Sequence, residues 1–280
     1  MAALCGGASD KALMHFHFPF TLLQVLWTLT FAAHLVLIVV LMGRDRVARY
    51  PWFTASVVLV AFRLLTSRLL FGRLPQMTMA TFFIIVADVG AFLSLMVVLE
   101  IARKAFGGVR RPTWVVSALG VLVVGALVLR FWGPWPAWKT VVSAPPLQFL
   151  QLIAQKASLL ADVETIVVGL LVVTFGYRFK AGWRSHTQRI VIGLSTASIA
   201  QLSIQAIWQT IAKTAVAHSM AEYSHILDVR DRLFNTNSAV YILVLIWWIV
   251  TLWKDEPGAP VKATAQLEPE LDAADPEKNL

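Results

Sequence analysis

The sequence predicts an all-α protein, a polytopic membrane helix bundle with seven transmembrane helices, an N-terminus outside the cell and a C-terminus in the cytoplasm. Of its 280 residues, 58% are hydrophobic and only 14% are charged, and the mean hydropathy is +0.70. Soluble domains carry about 25% charged residues, so this chain has too few charges to cover a surface that faces water. Long apolar runs recur along the chain, and short basic blocks separate them.

The apolar runs are long enough to cross a bilayer as helices. A hydrocarbon core of about 30 Å needs roughly 20 apolar residues, and a helix satisfies its own backbone polar groups there. Pro51 and Pro112 lie at the start of two runs, where proline is tolerated. The segment 133–147 is rich in proline and predicts a loop. The predicted spans are residues 19–42, 51–72, 77–101, 113–132, 148–176, 189–212 and 236–253.

The basic residues predict the direction of the chain. The first, third and fifth loops, with the start of the sixth span, carry eleven Lys and Arg residues, and the other loops carry five. Because cytoplasmic loops hold the excess of basic residues, the odd-numbered loops are predicted inside the cell, in an inner-membrane protein. Basic blocks between apolar runs also argue against nucleic-acid binding.

With this orientation, the segment 1–18 is predicted to be extracytoplasmic, and the acidic tail 254–280 is predicted to be disordered in the cytoplasm. Translation is expected to begin at Met1 or at Met14.

Two ionisable residues inside the predicted spans suggest a structural ion pair. Arg63 and Asp88 lie at similar distances from the turn between the second and third spans, so both are predicted near the bilayer centre. Charges at this depth are costly unless they are paired. The sequence therefore predicts an Arg63–Asp88 pair that keeps the two helices in register.

Polar residues form one stripe on the fifth predicted helix and another on the sixth. Their spacings of three and four residues place the members of each stripe on one helix face. Glutamines are poorly placed against lipid, so these faces must meet a neighbour, water or a ligand. Two interpretations stay open, an interhelical hydrogen-bond zipper and a polar cavity that opens to the outside. The candidate ligand-binding residues are Asp162, Gln201 and Gln205, with Gln155, Glu164 and Gln209 near the mouth.

A metal ion is an alternative ligand, because five histidine and glutamate residues lie outside the predicted spans. Imidazole and carboxylate groups bind zinc, iron and copper. Otherwise no cofactor is predicted, and Cys5, as the only cysteine, excludes an intramolecular disulfide. His34, inside the first span, is predicted to be a hydrogen-bonded packing residue. The five candidate ligands are His15, His17, His218, Glu222 and His225.

The layout of residues 15–254 resembles the seven-helix sensor regions of bacterial signalling proteins. The first hypothesis is therefore a non-enzymatic receptor in the lipid bilayer that binds a small ligand in its outer half and signals to a separate cytoplasmic protein. The sequence contains no nucleophile elbow, P-loop or zinc-protease motif. Two alternatives stay open. One is a transporter or proton-coupled carrier that uses Asp88, Asp162 and Glu164, and the other is a membrane-embedded, metal-dependent enzyme.

Overall fold

Six long helices make up most of the part of the chain that the structure describes. They are α1 (Leu22–Gly43), α2 (Pro51–Leu70), α3 (Gln76–Ala105), α4 (Pro146–Phe175), α5 (His186–Thr214) and α6 (Met220–Trp253). The structure is a computed structural model, and it describes residues 21–70, 73–105, 120, 123–128, 130–131, 146–175, 185–215 and 219–255.

All six helices are long and apolar enough to cross a membrane. The chain is therefore a multi-pass α-helical membrane protein, and the predicted all-α class is confirmed for the described residues, which contain no strand. The predicted span 113–132 lies largely outside the described residues, although 123–128 within it are helical. The segment 1–18 and the tail beyond Asp255 also lie outside them, so their predicted roles stay predictions.

The last helix is longer than the sequence predicts. It begins at Met220, whereas the predicted span begins at residue 236. Its 34 residues extend for about 50 Å, well beyond a hydrocarbon core of about 30 Å. The additional turns are polar and include an ion pair of 2.7 Å between Arg232 and Asp228. Hydropathy detects only the apolar part of a helix, so it misses an extension of this kind.

Local sequence determines where several helices begin. Thr21, Ser185 and Ser219 precede α1, α5 and α6, and each hydroxyl accepts a hydrogen bond from a backbone N–H of the first turn. Pro51 is the first residue of α2, where its missing N–H leaves no bond unmade. The short connection before α2 passes through Asp45 at a φ of 52°, a conformation that aspartate adopts more readily than most residues.

The six helices form a closed ring. Each contacts the next along the chain, α6 contacts α1, and one further contact joins α3 to α5 across the ring. The start of α2 lies beside the start of α5, because the Tyr50 hydroxyl is 2.9 Å from the Thr187 hydroxyl. Arg189 donates to the Thr251 carbonyl at 3.4 Å, which places the end of α6 there too. We call this the Pro51 end of the ring, and the opposite end the Gln76 end.

The half of the ring at the Pro51 end is filled by one apolar core. Phe53 packs edge-on against Trp248, with ring centroids 5.1 Å apart. Gly193 makes room for this indole, because a Cβ there would collide with the ring nitrogen and lie 2.7 Å from Cε2. All six helices contribute buried residues to the core: Leu37, Val40, Leu41, Tyr50, Phe53, Val57, Val97, Val98, Ile101, Val168, Val172, Ile190, Val191, Val244, Leu245, Trp248 and Leu252.

A buried carboxylate joins α2 to α3 at the Pro51 end. One oxygen of Glu100 accepts a hydrogen bond of 3.1 Å from the Phe53 N–H, and the other lies 3.1 Å from the Lys104 ammonium. That ammonium is also 4.1 Å from the centre of the Tyr50 ring. Glu100 thus satisfies a first-turn N–H of α2 that has no partner within its own helix.

Candidate functional site

The ring contains a cavity with two adjoining lobes, which extends from the Gln76 half to the apolar core of the Pro51 half. The wide lobe, of about 650 Å³, lies between α2, α3, α4 and α5. The narrow lobe, of about 370 Å³, also reaches α6 and extends down to the Phe53–Trp248 pair of the core. Ser56, Val60, Ser94 and Ser158 line both lobes, which therefore adjoin each other.

Five of the six predicted ligand-binding residues line this cavity. Gln155, Gln205 and Gln209 line the wide lobe. Asp162 and Gln201 line the narrow lobe. Because α4 and α5 are adjacent and antiparallel, the two polar stripes face each other, and the structure brings together residues that are far apart in the sequence.

Beside the narrow lobe the same stripes are joined by hydrogen bonds. Ser198 Oγ donates to Asp162 Oδ1 at 2.8 Å, and Ser195 Oγ donates to the Thr165 carbonyl at 3.0 Å. The helices approach closely, since a Cβ at Gly169 would collide with the Ser195 hydroxyl. Hydrogen bonds therefore join the two stripes beside the narrow lobe, whereas nearer the Gln76 end the stripes line the wide lobe.

Helix α6 contributes two polar residues that are not among the predicted site residues. Asn237 donates a hydrogen bond to Gln201 Oε1. Tyr241, four residues further along, lines the narrow lobe with it. Their spacing places them on one helix face, which is the same signal that identifies the stripes of α4 and α5. The four-residue spacing of Asn237 and Tyr241 in the sequence therefore predicts a polar face on α6.

His34 is a hydrogen-bonded packing residue, as predicted. Its ring is fully buried, and Nδ1 lies 2.7 Å from the Thr30 carbonyl, which can only accept. Nδ1 therefore carries a proton. In the neutral ring, Nε2 accepts from the Tyr241 hydroxyl at 3.1 Å. The hydrogen bond to His34 thus fixes the orientation of the Tyr241 side chain, which lines the narrow lobe.

Glu164 is predicted near the cavity mouth, but it is not among the residues that line either lobe. The residue is two positions from Asp162, about 200° around the helix, so the two carboxylates point in different directions. Its side chain is buried against residue 125, where an added Cβ on the glycine would lie 3.3 Å from Glu164 Oε1. This oxygen has no hydrogen-bond partner among the described residues.

The predicted ion pair between Arg63 and Asp88 is not among the ion pairs of the described residues. Arg63 lines the wide lobe, together with Ala87 and Gly90 of α3. Asp88 is one position further around α3 and outside that lining, and its buried Oδ1 has no hydrogen-bond partner in the described part of the chain. Equal depth in a hairpin does not determine the direction in which each side chain points.

The predicted metal ligands are only partly described. His15, His17 and His218 lie outside the described residues. Glu222 and His225 are exposed on the first turns of α6. The described residues contain no group of three His, Cys, Asp or Glu side chains arranged to hold a metal ion. The metal-dependent enzyme stays an untested hypothesis.

The fold and the cavity define the class, a multi-pass helical membrane protein with an internal space lined by both polar and apolar side chains. Comparison with known proteins adds nothing more specific. No family model matches the chain, and no curated protein or solved structure matches it.

Proposed function

We propose that this chain is a seven-span inner-membrane protein that binds a small polar ligand in its cavity and acts as a receptor. The observation that carries the proposal is the convergence of Asp162, Gln201 and Gln205 on one cavity. Ligand sites are typically concave spaces of about 300–1,000 Å³ with a few convergent polar groups, and this cavity fits that description. In the proposal the occupied bundle signals to a separate cytoplasmic protein.

The path of the chain supports a seventh span at 113–132. Helix α3 ends at the Pro51 end, because Glu100 contacts Phe53. Helix α4 begins at the Gln76 end, because it runs antiparallel to α5 through the hydrogen bonds of Asp162 and Thr165. The chain between residues 105 and 146 therefore has to pass from one end of the ring to the other, which a seventh span accomplishes.

Basic residues at the Pro51 end support a cytoplasmic location for that end. The test introduces single cysteines into a Cys5→Ser background and labels intact cells with a membrane-impermeant maleimide. Met220→Cys, at a position 85% exposed near the Gln76 end, is expected to react in intact cells. Asp255→Cys, near the Pro51 end, is expected to react only after permeabilisation. The opposite pattern would reverse the orientation and place the cavity mouth inside.

The end of the cavity that meets the apolar core favours a receptor over a carrier. Among the described residues, side chains of the apolar core, including Phe53 and Trp248, form the end of the narrow lobe that is nearest the Pro51 end. Two of the three carboxylates required by the carrier hypothesis, Asp88 and Glu164, are not among the residues that line either lobe. A cavity closed on one side suits binding without passage.

Ligand-dependent thermal stabilisation of the purified protein tests the proposed function. A ligand that binds only the folded state raises the Tm, and a concentration of 100 times Kd stabilises by about 2.7 kcal/mol. A panel of polar metabolites is screened against the wild-type chain. Gln205→Ala and Asp162→Asn are then expected to reduce the Tm increase produced by each compound that binds.

Gln151→Ala is the matched control, because Gln151 is exposed on the same helix and is not among the residues lining the cavity. It should leave ligand-induced stabilisation unchanged. If Asp162→Asn cannot be purified in folded form, the stripe of α4 is structural, and Gln205→Ala alone decides the matter. A panel that produces no cavity-dependent stabilisation would remove the receptor proposal.

A further inference from the structure

The cavity contains charges of opposite sign in its two lobes. The basic residues Arg63 and Lys156 line the wide lobe, and the acidic residue Asp162 lines the narrow lobe. Ser56, Ser94 and Ser158 line both lobes and mark where they adjoin. A single molecule that occupies the whole cavity therefore meets a cation at one end and an anion at the other.

Neither Arg63 nor Asp162 has an ionic partner among the side chains that the structure describes. The ion pairs there involve other residues, and the hydrogen bond to Asp162 comes from the neutral hydroxyl of Ser198. Uncompensated charges are costly at membrane depth, where a binding site is the usual reason for retaining them. Two such charges on one cavity point to a ligand that compensates both.

The remaining lining limits the character of that ligand. Gln155, Gln205 and Gln209 supply amides that both donate and accept hydrogen bonds. Leu59 and Leu152 make part of the wide lobe apolar. The cavity thus offers charge recognition at two points and apolar surface between them, which suits a compact aliphatic body with one charged group at each side.

We infer that the ligand class is a small zwitterion with an ammonium group at one end and a carboxylate group at the other, such as a linear ω-amino acid or a very short peptide. The ammonium is bound by Asp162 in the narrow lobe, and the carboxylate is bound by Arg63 in the wide lobe. Arginine forms a fork of two parallel N–H bonds with a carboxylate, which favours this group over other anions. The inference rests on the proposed function, because it specifies the ligand of the same cavity.

The test uses the wild-type chain in lipid nanodiscs and three matched sets of probes. These are linear ω-amino acids of increasing length, their N-acetyl derivatives, which lack the ammonium, and their carboxamides, which lack the carboxylate. At least one free amino acid is expected to bind. Its N-acetyl and carboxamide forms are each expected to bind about tenfold or more weakly, because each loses one charge-assisted hydrogen bond.

Two variants assign the two charges to their residues. Asp162→Asn is expected to abolish the preference for the free amino acid over its N-acetyl derivative and to leave the preference over the carboxamide. Arg63→Gln is expected to do the reverse. Gln151→Ala should preserve both preferences.

Three results would overturn the inference. Binding that depends on Gln205 but favours a neutral or singly charged probe would leave a ligand cavity and remove the zwitterion. Recovery of stability in the double variant R63Q/D162N, when each single variant unfolds, would mean that the two residues compensate each other. Absence of binding by all three sets, together with a negative metabolite panel, would remove the proposed function as well.

Discussion

At the Pro51 end of the ring, side chains from six helices fill the interior, whereas at the Gln76 end four of the same helices enclose a cavity. Two glycines illustrate the difference. A Cβ at Gly193, in the filled half, would collide with the Trp248 indole. A Cβ at Gly90, beside the cavity, would meet Leu59 Cδ2 at an ordinary contact distance of 3.7 Å. The filled half supplies stability, and the hollow half leaves room for a ligand.

Truncation of the central tryptophan should have the largest effect on stability. Trp248→Ala is expected to lower the free energy of unfolding by about 3–5 kcal/mol, because it leaves an unfilled volume beside Phe53. Trp247→Ala is the control, since Trp247 is 47% exposed on the same helix. Thermal unfolding in detergent measures both. Equal losses in the two variants would contradict the location of the core.

Adding one methyl group at a glycine should change the stability of the protein differently in the two halves. Gly193→Ala is expected to cost about 1–3 kcal/mol through overpacking against Trp248. Gly90→Ala should be neutral or stabilise by up to about 1 kcal/mol, because alanine favours the helix and the site has space. The comparison of the two Tm values is the measurement. A larger loss at Gly90 than at Gly193 would reverse the assignment of filled and hollow halves.

Replacing a buried amide at the Pro51 end should increase stability. Gln188 is 1% exposed, and neither polar atom of its amide has a hydrogen-bond partner among the described residues. Gln188→Met keeps a similar shape and removes the unsatisfied groups, so we expect a gain of about 1–2 kcal/mol. Gln151→Met, at an exposed position, should change the Tm little. A loss of stability in Gln188→Met would show that the amide has a partner in the membrane.

The smallest effect is expected at the boundary between the halves. Ser198→Ala removes the hydrogen bond to Asp162, and we expect it to cost about 1 kcal/mol. Ser224→Ala is the matched control, because the Ser224 hydroxyl is exposed and bonds only to its own helix. Unfolding measurements on the two purified variants distinguish them. Identical Tm values would mean that this bond contributes nothing to joining α4 and α5.

Side-chain periodicity predicts much of the cavity, because a helix with known spacing defines its own faces. Gln201, Gln205 and Gln209 follow that rule, and the structure places all of them on the cavity. Glu164 departs from it, since its two-residue separation from Asp162 already indicates another face. The direction of Arg63 relative to Asp88 depends on the rotation of α2 against α3, which packing sets and a single sequence does not contain.

The two sides of the cavity also differ in the side-chain hydrogen bonds that join their helices. Asp162, Gln201 and Tyr241 link α4, α5, α6 and α1 to one another through side-chain hydrogen bonds. On the opposite wall, the hydroxyls of Ser56 and Ser94 bond only to their own helices. In the described residues, the α2–α3 hairpin is thus hydrogen-bonded to its neighbours only near the Pro51 end. We expect the cavity-facing turns of α2 to shift when the cavity fills, which would carry the occupancy of the cavity to the basic loop before α2.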